Sequence, residues 1–256
     1  VDDDPLTVDN LAMPALALND KSALVTGGAR RIGREIALAL AHAAADITIT
    51  YRESVAEAQE TVRRIEDLGR RALAIPCDVR SEASVCDAVA AAVAFHGRLD
   101  LLVNNAAIFE SVALDQITLD RWDAVFETNT RGPFLVAREA LTHLRAAHGR
   151  IINIGSLGGI RPWSGHGHYC ASKAAVHMLT KVMAKSFAPE VTVNCVAPGW
   201  IDQGDSDATT AARFAEKTPA KRNGTAADIA QAVLFFATSP GFVTGQVLAV
   251  DGGLGL

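Results

Sequence analysis

From Ser22 to Asn104 the chain alternates short, β-branched apolar runs with longer stretches of helical period. Ser22–Thr26, Asp46–Thr50, Arg71–Pro76 and Leu99–Asn104 read as strands. Between them lie a stretch with Ile32, Ile36, Leu40 and Ala43 on one side, a second with Val55, Val62 and Ile65, and a third with Val85, Val89 and Val93 at i, i+4 spacing. Strand–helix repetition implies parallel strands with right-handed helical crossovers. Ser54 with Glu57 three residues on predicts a capping box for the second helix, closed by Gly69. Ser81 and Gly97 bound the third.

The second half repeats the pattern less regularly. Thr118 to Ala147 predicts a long helical stretch, kinked or broken at Gly132-Pro133. Arg150–Ile154, Val191–Val196 and Gln246–Val250 read as strands, and Thr225 with Asp228 caps a further helix. Trp200–Arg222 is polar and irregular, a cover for a substrate or an ordinary surface excursion. The expected fold class is α/β: a doubly wound, seven-stranded, mostly parallel sheet with helices on both faces. Residues 1–20 read as a tail. No break in composition follows, so 21–256 reads as one domain with a substrate loop at about 200–222.

At 49% hydrophobic and 21% charged residues the chain can bury a sizeable core. Its net charge of −5, with no basic stripe, argues against nucleic acid and anionic membrane as partners. Cys77, Cys86, Cys170 and Cys195 are scattered without a C-x-x-C pair, which reads as reduced thiols in a cytoplasmic protein. No apolar run reaches membrane-spanning length, and no signal-peptide pattern appears. The absence of G-x-S-x-G argues against a hydrolase.

Three places carry chemistry. Gly27–Gly33 lies between a strand and a helix start, where free N–H groups and the helix dipole suit a pyrophosphate; the plainer alternative is a βα turn. The usual middle glycine is Arg31, so Arg30 and Arg31 add two cations. The second strand ends in Thr50-Tyr51-Arg52-Glu53-Ser54, with no acid at the position that selects NAD and Arg52 directly after it. NADP(H) is therefore favoured, with Glu53 expected to point away. Tyr169 and Lys173 are four apart, so on a helix they share a face. An ammonium beside a phenol lowers its pKa and makes a proton donor. Ser156 is a second donor for the tyrosine or for a substrate oxygen. Asp78 is an adenine contact or a helix-start acid. Asn104-Asn105 are turn formers or ligand amides. Asn129 holds a water or Lys173, or marks the kink. His166 and His168 touch substrate or are polar surface.

Together these residues resemble the short-chain dehydrogenase/reductase family in its compact single-domain form. The matching motifs are TGGARRIG (Thr26–Gly33), Asp78, NNAA (Asn104–Ala107), Asn129, Ser156, YCASK (Tyr169–Lys173), PG (Pro198–Gly199) and VDGG (Val250–Gly253). The resemblance implies a Rossmann fold and a small-molecule carbonyl substrate, and relatives are commonly tetramers, so a homotetramer is expected. It makes Tyr169 the general acid, Lys173 its modulator and ribose ligand, Ser156 the group that orients the carbonyl, and Asn129 the holder of a relay water. NADP(H) would be bound by Gly27, Ala29, Arg30, Arg31, Ile32, Gly33, Tyr51, Arg52, Ser54, Asp78, Val79, Asn105, Ala106, Ala107, Tyr169, Lys173, Pro198, Gly199 and Ile201. The C-terminal segments are similar to 3-oxoacyl-carrier-protein reductases. Arg31, TYRES and PEVTVN are similar to pteridine reductases, although those commonly carry Asp where this chain has Ser156. Gln203 stands where Thr is common near the carboxamide. A third alternative is an NADP(H)-binding sensor without catalysis.

Overall fold

The computed structural model describes residues 17–204 and 207–256. Its strands are β1 (Ser22–Val25), β2 (Asp46–Tyr51), β3 (Ala72–Pro76), β4 (Leu101–Asn104), β5 (Arg150–Ile154), β6 (Thr192–Pro198) and β7 (Val247–Val250). They form one sheet in the order β3-β2-β1-β4-β5-β6-β7, and every neighbouring pair is parallel. The chain reverses its direction of winding between β1 and β4, which leaves a crevice at their carboxyl ends.

The helices are α1 (Arg31–His42), α2 (Val55–Glu66), α3 (Glu82–His96), α4 (Leu119–Phe126), α5 (Gly132–Ala146), α6 (Gly167–Phe187), α7 (Ala208–Lys217) and α8 (Ala226–Thr238). Successive strand residues face opposite sides, so each strand feeds two cores. Val25, Val103, Ile152 and Val196 join Ile36 and Leu40 of α1, Ile65 of α2 and Phe236 of α8. Leu24, Leu102, Ile151 and Val193 join Val89 of α3, Leu144 of α5 and Met183 of α6. Strands buried on both faces are what an all-parallel sheet requires.

The ends of the helices test the local expectations. Ser81 accepts from the Ser84 N–H, and Gly97 closes α3 at φ 78°. Thr225 and Asp228 form a reciprocal capping box. Ser54 does not cap α2. Its φ of −82° and ψ of 63° are not the extended conformation a cap needs. The long helical run breaks earlier than Gly132-Pro133. A π-helical turn at Glu127–Arg131 separates α4 from α5, and Pro133 sits in the first turn of α5, where its missing N–H is harmless. Trp200–Arg222 is less irregular than expected, because it contains α7, capped by Asp207. Of the expected tail, residues 1–16 lie outside the described residues. Leu18 is buried, and its N–H donates to the Ala43 carbonyl at 2.9 Å.

Candidate active site

The turn from β1 into α1 is fastened to β4 by polar groups that no periodicity reveals. Thr26 Oγ1 accepts from the Asn105 and Ala106 N–H groups, both at 3.0 Å. The Asn105 amide donates to the Thr26 and Gly27 carbonyls at 2.9 and 3.0 Å. Gly27 has φ 64°, and a Cβ on Gly33 would lie 2.2 Å from the Gly27 oxygen, so only glycine closes this turn. The result is a shallow cradle at the N-terminus of α1, the geometry that receives a phosphate. Arg31 opens α1 at φ 54°, a conformation that costs an L-residue about 1–2 kcal/mol. That strain is the physical reason a glycine is usual there.

The cradle is one end of a cleft of about 600 Å³ along the carboxyl ends of the strands. Every residue expected to touch a dinucleotide lines it, from Gly27 through Tyr51, Asp78 and Ala107 to Ile201. The cradle, the cleft and the arginines fit such a group. Two expectations change in detail. Glu53 does not point away: it lines the cleft and pairs with Arg52 at 2.9 Å on the exposed rim. The Asp78 carboxylate receives Arg80 through both Nε and NH2, and this pair holds its pKa below the usual range.

At the other end β5 delivers Ser156 and the first turns of α6 deliver Tyr169 and Lys173. Ser156 is 4% exposed and its Oγ accepts from the Gly158 N–H at 3.0 Å. The same hydroxyl bonds to Tyr169. Lys173 is 3% exposed, its Nζ donating to the Ile154 carbonyl at 2.8 Å and lying 5.8 Å from the centre of the Tyr169 ring. Burial pushes the Tyr169 phenol up, and the Ser156 hydrogen bond opposes that rise. The expected lowering of the phenol by the ammonium is thus not what this structure has. Burial dominates, and the lysine itself is pushed down to about 8 by the same cause.

Asn129 stands apart from the cleft. It has no exposed surface, its Oδ1 accepts from the Ile108 N–H at 2.9 Å, and its Nδ2 donates to the Ile108 carbonyl and to Ser172 Oγ. The side-chain amide is therefore spent on tying the π-helical turn to Ile108 and to Ser172, one residue before Lys173. His168 is not polar surface but fully buried. Phe109 and Trp163, which belong to the segments Ile108–Ala113 and Leu157–His168 where the sequence places substrate specificity, line the cleft, whereas sequence reasoning missed His177. His177 lies one helical turn beyond Lys173, accepts from the Ser156 N–H at 3.4 Å, and is pushed down to about 4 by burial and then by Lys173. The i, i+4, i+8 spacing of Tyr169, Lys173 and His177 was the available signal. Among the described residues there is no cluster of metal-ligating side chains, and no helix is long and apolar enough to cross a membrane.

A family model described as Enoyl-(Acyl carrier protein) reductase matches residues 27–255. A 3-oxoacyl-[acyl-carrier-protein] reductase of Staphylococcus epidermidis is 37% identical over 244 residues, which cover 92% of this chain and 99% of the relative. The solved structure of a dehydrogenase/reductase from Sinorhizobium meliloti superposes with TM-score 0.90 at 39% identity, covering 94% of this chain and 98% of that one. A blue fluorescent protein from a metagenomic library, solved in complex with NADPH, superposes with TM-score 0.87 at 38% identity, covering 93% and 99%.

Proposed function

The chain belongs to the short-chain dehydrogenase/reductase family, and on that premise we propose that it is an NADPH-dependent reductase of a ketone or 3-oxoacyl-type carbonyl with Tyr169 as proton donor. It is an NAD(P)-dependent oxidoreductase; the cofactor preference, the substrate and the residue roles are the proposal. One observation carries it: a half-buried phenol stands with a buried serine and a buried lysine at one end of a cleft whose other end is a phosphate cradle.

The bound nicotinamide supplies the hydride. The residues do the rest. Pro198 and Gly199, at the end of β6, line the cleft and would hold the ring. Ser156 and Tyr169 donate to the carbonyl oxygen and stabilise the negative charge that grows there. A phenol raised by burial keeps its proton until that charge develops, then gives it up. Lys173 meets the resulting phenolate with its charge and returns a proton. The Asn129 side chain is filled, so a relay water at this residue would use its backbone oxygen. Arg30, Arg31 and Arg52 around the cradle, with no acid at the end of β2, support NADPH over NADH. Phe134, Met178 and Val182 remain exposed on α5 and α6 and support self-association, here to a homotetramer, which sedimentation would reveal.

A second reading, pterin reduction, rests on Arg31 lining the cleft in a conformation that disfavours any side chain. Oxidation of NADPH and NADH with ketones, 3-oxoacyl thioesters, enoyl thioesters and dihydropterins separates these readings. We expect turnover with NADPH and the first two classes, reduced about 10²–10⁴-fold by Tyr169→Phe. Full activity in that variant removes the proton-donor role. Tight NADPH binding with no turnover of any substrate leaves a sensor.

A further inference from the structure

His168 stands one residue before Tyr169, has no exposed surface and does not line the cleft. Its Nε2 lies 2.6 Å from Glu110 Oε1. A carboxylate only accepts, so Nε2 carries the proton of that bond. The other ring nitrogen, Nδ1, is buried without a partner. Such atoms are rare in native proteins, because burial costs the nitrogen its water and returns nothing. An apolar side chain would fill the space without that cost, so packing alone does not account for a histidine here.

Glu110 belongs to the segment that leaves β4, whose residues Asn105–Phe109 line the cleft. The segment is fastened to α6 and its approach at several points. The Glu110 carbonyl accepts from His166 Nδ1 at 3.0 Å, and the Val112 N–H donates to the Gly165 carbonyl at 2.7 Å. Phe109 meets the Tyr169 ring edge-on at 4.8 Å. Beyond the tyrosine, Asn129 ties Ile108 to Ser172, whose Oγ donates to the Tyr169 carbonyl at 2.7 Å. Residues 108–112 therefore grip α6 on both sides of Tyr169. Arg121 lies 4.0 Å from the free side of the Glu110 carboxylate.

We propose that Glu110 and His168 form a positioning pair whose bond locks residues 108–112 onto the first turn of α6 and thereby aims the Tyr169 hydroxyl at Ser156. Neither side chain reaches the reacting atoms; they act through the turn that carries the phenol. The inference rests on Tyr169 being the proton donor, and its test separates the two. Glu110→Ala, His168→Leu and the double variant are compared with Glu110→Gln, whose amide oxygen still accepts from Nε2. For the first two we expect kcat to fall on the order of 10- to 100-fold, the effect of misplacing a reacting group by about 1 Å. NADPH affinity, read from energy transfer out of the tryptophans, should hold. The double variant should be no worse than the worse single variant, because both remove one contact. Glu110→Gln should restore most of what Glu110→Ala loses, and the isotope effect with deuterated NADPH should rise as chemistry becomes limiting. Losses confined to melting temperature, losses that add in the double variant, or no rescue by Gln overturn the pair. Full activity in Tyr169→Phe instead overturns the donor role, whatever the pair does.

Discussion

At the amino ends of the strands Asp100 is 6% exposed, and at the carboxyl ends Lys173 is 3% exposed, yet burial has opposite outcomes for the two. Burial alone would raise Asp100, but Arg98, the Ser22 N–H and Lys21 all donate to its carboxylate, at 2.6–3.2 Å, and together hold its pKa below the usual range. Lys173 has one carbonyl for company, and its neighbours Cys195 and His177 are driven to about 12 and about 4, in each case chiefly by burial. A buried charge surrounded by partners is a fastener. Burial without partners favours the neutral form: it locks Cys195 and His177 neutral and brings Lys173 alone towards a change of protonation, which is the condition proton transfer needs.

The sharpest way to break this comparison is Lys173→Met, which keeps the length of the side chain and removes the charge. Turnover should fall about 10²–10⁴-fold while chemical denaturation shows a gain in stability. The sign follows from linkage. The folded lysine loses its proton at about 8, the unfolded one near 10.4, so below 8 the folded state carries the full penalty, on the order of 3 kcal/mol. The stability gap between variant and wild type should therefore narrow as pH rises from 8 towards 10.4, and a constant gap would refute the assignment. Asp100→Ala should do the reverse, costing about 2–3 kcal/mol in denaturant midpoint while kcat per folded molecule holds. Asp100 is depressed, so its contribution is complete above about pH 4 and fades only as pH falls through its lower folded value. The smallest effect is expected of Arg31→Gly. Relief of φ 54° should raise the melting point by the equivalent of about 1 kcal/mol or less, while NADPH binding, read by titration, weakens.

Much of this is legible in the sequence. The short β-branched runs and the i, i+4 patterns mark strands and helices, because a strand of this sheet is buried on both faces and a helix on one, so β1 to β4 and α1 to α3 fall where Val, Ile and Leu recur. Gly27, Gly33, Tyr169 and Lys173 were legible because their spacing is local. What was hidden depends on groups far apart in the chain. Ser54 looks like a cap, but it turns to line the cleft. His168 looks like a loop histidine until Glu110, 58 residues earlier, covers it. The Asn129 amide looks like a kink marker or a water ligand, but it is committed to Ile108, 21 residues away. The acidity of Tyr169 was misjudged because the sequence pairs it with Lys173 but is silent on how much water the fold removes from both.

The junction of β1 with β4 has a consequence for how the molecule comes into being. Ser22 finds Asp100 78 residues later, and the helix-length connections make every strand pairing wait for a long loop to close. A nascent chain synthesised as far as β3 already carries β1 with one open, apolar side, which is an invitation to the wrong neighbour. Refolding yield from denaturant should accordingly depend on protein concentration, and the cleft should be the last feature to appear, since its walls are contributed by segments spread from Gly27 to Gln203.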